Sequence, residues 1–74
     1  MDGELKFRRT FAARVGNRMY ELNMTQVDLA KKSGLSEPMI SRYLSGSTAV
    51  NMYNVRKIAN ALNCSVDDLI GEQV

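Results

Sequence analysis

Between Thr25 and Gly46 the chain runs Thr-Gln-Val-Asp-Leu-Ala-Lys-Lys-Ser-Gly-Leu-Ser-Glu-Pro-Met-Ile-Ser-Arg-Tyr-Leu-Ser-Gly. No other stretch constrains the fold as tightly. Two short helical patterns meet at Gly34, and the second opens with Ser36 as its cap and Pro38 in its first turn. Proline is tolerated there because a first-turn N–H has no intrahelical acceptor to lose. The apolar residues of the two segments, Val27, Leu29, Ala30, Leu35, Ile40 and Leu44, can close on one small core. The outer face of the second segment is then left to Glu37, Pro38, Ser41, Arg42 and Ser45.

A cradled helix that turns short polar and cationic side chains outward is the pattern of a helix-turn-helix, whose second helix lies in the major groove of DNA. Length and composition agree with it. A chain of 74 residues makes one small domain, which buries only roughly 60% of its unfolded surface and cannot build a deep walled pocket. With 45% hydrophobic and 24% charged residues it is neither disordered nor fibrous. Its longest apolar runs are three residues, too short for a membrane span, and no secretory segment is visible. The lone Cys64 excludes an internal disulfide, and the absence of His excludes a Cys/His metal site. Cys64 reads as a small buried hydrophobe, with a redox role as the remote alternative. No cofactor is expected, and the expected location is cytoplasmic.

A net charge of +2 says little by itself; its distribution says more. Lys6, Arg8, Arg9, Arg14 and Arg18 fall between Leu5 and Tyr20 without an acid, while Asp67, Asp68 and Glu72 follow Ile58 without a base. A basic front and an acidic rear suit docking on a duplex in one orientation. The plainer reading is a solvated helix face.

The spacing predicts an all-α fold of five helices. The first covers Leu5 or Thr10 to Leu22, with Phe7, Phe11, Val15 and Leu22 at helical spacing and Ala12 and Met19 widening the stripe. The second runs Thr25–Ser33, capped by Thr25 and stopped by Gly34 in the left-handed conformation. The third runs Ser36–Leu44 and ends at Gly46. After a loop of small residues Asn51 caps the fourth, Met52–Leu62, with Met52, Val55, Ile58, Ala59 and Leu62 inward and Asn63 as its left-handed terminus. Ser65-Val66-Asp67-Asp68 opens a short fifth helix through a capping box, burying Val66, Leu69 and Ile70. The expected organisation is residues 1–9 as a basic arm or the start of helix 1, 10–70 as the DNA-binding domain and 71–74 as a tail.

These residues also carry a resemblance. Thr25-Gln26, Leu29-Ala30, Ser33-Gly34-Leu35-Ser36, Ile40-Ser41 and Leu44-Ser45-Gly46 are followed by Ile58-Ala59-Asn60-Ala61-Leu62 and Cys64-Ser65-Val66-Asp67-Asp68-Leu69. Taken in order, they resemble the lambda-repressor/Cro family of helix-turn-helix domains, also called the xenobiotic-response-element family, from Arg14 to Ile70. The stretch Ala49-Val50-Asn51-Met52-Tyr53-Asn54 is similar to the phage repressors of that family.

The resemblance and the chemistry together nominate site residues. Glu37, Pro38, Ser41 and Arg42 match the exposed positions of the family's recognition helix and are the candidates for base readout. Arg42 leads, since its planar fork fits the O6 and N7 of guanine; the alternative is an ion pair with Glu37. Glu37 departs from the Gln common at its position, so it either accepts from a cytosine N4 or holds Arg42. Pro38 can touch only a thymine methyl, and Met39 is either a rim core residue or an apolar DNA contact. Thr25 and Gln26 at the start of helix 2 are candidate phosphate contacts. So are Ser45, Ser47, Thr48, Asn51 and Asn54 around the start of helix 4, where Tyr53 can join and the helix terminus adds partial positive charge. By analogy with the family's basic arm, Lys6, Arg8 and Arg9 are candidates to grip the duplex.

The resulting expectation is a sequence-specific DNA-binding transcriptional regulator, a repressor, that binds a palindromic operator as a homodimer on double-stranded DNA. Val66, Ile70 and Val74 are the candidate dimer contacts. The alternative is a protein-interaction module on the same fold, such as a partner-binding antitoxin. An enzyme is excluded by the absence of His, of a paired-acid cleft, of a phosphate-cradling glycine loop and of a reactive cysteine setting.

Overall fold

The computed structural model describes residues 3–71. Within them the chain forms five helices and no strand: α1 (Gly3–Glu21), α2 (Gln26–Ser33), α3 (Glu37–Ser45), α4 (Met52–Ala61) and α5 (Val66–Ile70). Val74 and Glu72 lie outside the described residues.

Each boundary has a local cause. The side chains of Thr25, Ser36, Asn51 and Ser65 each accept from the backbone N–H three residues on, which satisfies one of the first-turn donors that a helix leaves open. At Thr25 and Ser65 the bond is reciprocated, because Asp28 and Asp68 accept from the cap residue's own N–H at 3.0 Å. These bonds hold both carboxylates below the usual aspartate range, the backbone N–H contributing most and the cap hydroxyl next. Gly34 at φ 76° and Gly46 at φ 72° end α2 and α3 in the left-handed region. Asn23 and Asn63 make the corresponding turns after α1 and α4.

The core takes Phe11, Val15 and Met19 from α1, Leu29 and Ala30 from α2, and Ile40 and Tyr43 from α3. Val55, Ile58 and Ala59 of α4, Leu62 just past its end and Leu69 of α5 complete it. α1 packs on α3 and α5, α2 on α3 and α4, and α4 on α5. Phe11 and Tyr43 meet edge to face, their centroids 6.3 Å apart. Cys64 is half-buried against this core, and burial, with the Asp68 charge adding to it, pushes its thiol pKa up.

Three expected core positions are exposed instead. Leu22 lies just past the end of α1, where the chain turns at Asn23 and Met24 takes the packed place. Val27 and Met52 stand in the first turns of their helices, ahead of the inward positions, and remain 41% and 52% exposed. Leu35, Leu44, Val66 and Ile70 pack against the core only in part.

The basic front is divided by the fold. Arg18 donates from Nε to the Leu62 carbonyl at 3.1 Å and from Nη2 to the Asn63 carbonyl at 3.2 Å. Arg14 donates to the Gly71 carbonyl. Both cations therefore cap helix ends that carry open carbonyls and partial negative charge. They fasten α1 to α4 and α5.

Candidate nucleic-acid interface

The two faces of α3 divide its labour. Ile40 and Tyr43 are buried and Met39 and Leu44 half-buried, whereas Glu37, Pro38, Ser41, Arg42 and Ser45 are all exposed. No ion pair joins Glu37 to Arg42 among the described residues, where the pairs are Glu4–Arg8 and Glu21–Arg18. The Arg42 guanidinium is therefore not tied to Glu37, while its backbone is held firmly. The Arg42 carbonyl accepts from the Ser45 hydroxyl at 2.9 Å, the Ser47 N–H at 3.2 Å and the Ser47 hydroxyl at 3.3 Å.

That knot fixes the hydroxyl loop. The Ser45 and Ser47 hydroxyl oxygens lie 2.9 Å apart, both residues exposed, with Thr48 half-buried beside them. The loop leads into α4, whose cap Asn51 accepts from the Asn54 N–H at 2.8 Å. α2 places Asp28, and α5 places Asp67 and Asp68, in the first turn, and so each offsets its own partial positive charge; the first turn of α4 contains no acid. The N-terminal field of α4 is thus offset by no acid of its own first turn, and the hydroxyl loop leads into it. Exposed Met52 and Tyr53 flank it, with the Lys57 ammonium 4.5 Å from the Tyr53 ring centroid.

Gln26 is exposed at the first position of α2, the helix that packs against α3. The exposed Thr25 hydroxyl accepts from the Asp28 N–H at 3.1 Å. The three arm candidates separate. All lie on α1, a helix from Gly3 onward and not an extended arm. The Arg8 carbonyl and the Arg9 side chain abut Gly46 at the end of α3, where an added methyl would lie 3.7 Å from Arg9 Cγ. Arg8 pairs with Glu4 at 4.0 Å. Lys6 lies instead in the groove between α1 and α5, with Phe7, Thr10, Arg14 and Ile70.

Asn54 departs from its expected place among the phosphate contacts. It is buried, and its amide donates to the Tyr43 hydroxyl at 2.8 Å and to Met39 Sδ at 3.8 Å. The reason is helical register: Asn54 stands four residues before Ile58 and eight before Leu62, on the inward stripe of α4. That spacing was readable in the sequence, but an asparagine on an apolar stripe gives no hint of its partner. Tyr43, three residues after Ile40, was likewise missed as a core residue.

A glycine-turned helix pair, an outward polar and cationic face, and a hydroxyl loop at an uncompensated helix terminus define a DNA-binding helix-turn-helix domain. The chain belongs to the lambda-repressor-like helix-turn-helix family, which it matches over residues 17–69. It is also similar to the cryptic phage CTXphi transcriptional repressor RstR of Vibrio cholerae serotype O1, with 38% identity over 58 residues. That alignment takes in 78% of this chain and 52% of the relative, so the chain spans about half the relative's length. No described helix is long and apolar enough to cross a membrane.

Proposed function

We propose that this domain reads a palindromic operator in duplex DNA as a pair of copies and represses transcription by occupying it, in the cytoplasm where that DNA lies. The observation that carries this reading is the exposed face of α3, a row of Glu37, Pro38, Ser41 and Arg42 over a helix whose other side is spent on the core. Likeness to a phage repressor supports the repressing role. Arg42 takes a guanine edge, Ser41 a neighbouring base, Pro38 a thymine methyl and Glu37 a cytosine amine. Thr25, Gln26, Ser45, Ser47, Thr48 and Asn51 hold phosphates, and Arg9, beside the end of α3, joins them. One helix reads only about 4–5 base pairs, too few to single out one genomic site, so two copies share a site with half-sites about one helical turn apart.

Selection of bound duplexes from a random pool tests the reading. It is expected to return a palindrome. Binding to it should fall with salt at a log–log slope of roughly −5 to −9 per pair, from about six to ten neutralised phosphates. A pool from which nothing is enriched, or a flat salt response, would overturn DNA reading in favour of a protein-interaction module.

A further inference from the structure

We propose that Asn54 is a positioning residue for sequence readout, setting the rotation of α3 against the phosphate-holding end of α4. The inference rests on α3 being the reading helix. Ser33 and Asn54 are the buried polar side chains among the described residues. Ser33 bonds back to the Ala30 carbonyl of its own helix, whereas Asn54 bridges two helices.

Its Nδ2 reaches Tyr43 Oη at 2.8 Å and Met39 Sδ at 3.8 Å. Those two residues lie four apart, one turn along the inner face of α3, so the amide holds that face at two points. Arg42 is the immediate neighbour of Tyr43. The backbone N–H of Asn54 donates to Asn51 Oδ1 at 2.8 Å, so one residue contacts both the phosphate anchor at the cap and the back of the reading helix. It thereby ties α3 to α4 across the connecting residues 46–51.

An apolar residue would pack on this stripe without needing a partner. The amide adds direction, since a hydrogen bond fixes an angle that apolar packing leaves soft, and buried polar contacts can specify one arrangement at some cost in stability. Bidentate base readout tolerates only about half an ångström of misplacement. Loss of the tie should therefore blur sequence discrimination while sparing phosphate binding, which is tolerant of small rotations.

The test compares Asn54→Leu, the double variant Asn54→Leu with Tyr43→Phe, and the unaltered chain. Each is measured against the best duplex recovered from a random pool and against a scrambled duplex, with folding followed by circular dichroism. Asn54→Leu should lower the affinity ratio of selected to scrambled duplex about tenfold and leave the scrambled affinity within about twofold. The double variant strands no buried hydroxyl and should regain thermal stability without regaining the ratio, and it serves as the folded sample if the single variant unfolds. An unchanged ratio in the double variant, or a ratio that recovers along with stability, overturns the inference and leaves DNA reading intact. An unaltered chain that prefers no duplex overturns both.

Discussion

Arg42 and Tyr43 are neighbours in sequence with opposite surroundings, one in solvent and the other 5% exposed against Phe11 and Asn54. A hundred-degree step around the helix accounts for it, and it lets a nine-residue element serve core and surface at once. Removing the Arg42 side chain should therefore cost on the order of 1–3 kcal/mol of binding on the selected duplex and much less on scrambled DNA, without lowering the melting temperature. Gln26→Ala should instead weaken both duplexes alike, because a phosphate contact carries no sequence information. Quantitative binding on the two duplexes separates these roles; an unchanged ratio in Arg42→Ala would remove Arg42 from the readers. The exposed face of α3 was legible because polar residues recur at helical spacing opposite an apolar stripe. The interior of the site was less so: Asn54 reads as a surface amide until the stripe it shares with Ile58 and Leu62 is traced.

Helix ends were the most legible part of this chain, since Thr25, Ser36, Asn51 and Ser65 satisfy a need that exists in any helix. Helix flanks were less legible: a broad apolar stripe does not say which of its edges meets the neighbour, and Val27 and Met52 fell on the wet edge. The capping boxes carry a pH signature. Asp28 and Asp68 have folded pKa values below the unfolded 3.8, so their contribution to stability is complete above that value. It is lost as the pH drops through the lower folded pKa. Melting temperatures should accordingly decline on acidification below about pH 4, and the Asp28→Asn/Asp68→Asn variant should show a shallower decline. Glycines give a second contrast at this scale. Gly34 and Gly46 are left-handed, so alanine at either should cost about 1 kcal/mol of unfolding free energy. Gly16, mid-helix in α1 with nothing within 4 Å of an added methyl, should gain roughly 0.8 kcal/mol as alanine. Denaturant titration reads both signs.

For the whole molecule the decisive quantity is how two copies meet. The large apolar side chains left exposed among the described residues, Tyr20, Leu22, Val27, Met52 and Tyr53, are spread over α1, α2, α4 and the turn after α1, while Ile70 and Val66 are half-buried and the groove beside Ile70 is shared with cationic Lys6 and Arg14. The isolated domain should sediment mainly as monomer at micromolar concentration and bind its palindrome as a pair. Ile70→Asp should weaken paired binding and leave half-site binding unchanged. A tight dimer without DNA that survives Ile70→Asp would move the interface elsewhere, with α1 the next surface to test. Charge was the sequence feature that misled most at this scale. Arg14 and Arg18 looked like part of a DNA-facing front and turned out to fasten helix ends, because a cation near open carbonyls finds a partner inside the molecule.

Among the described residues, the side chains of Glu37, Pro38, Ser41 and Arg42 are exposed and make no ion pair with one another or with the scaffold. As the proposed readers, these four side chains can therefore change without disturbing the contacts that hold α3 in the core. A library randomised at these four positions should fold almost throughout, and a lineage could drift from one target to another through intermediates that are all well folded. New addresses would be reached by rewriting one face of one helix.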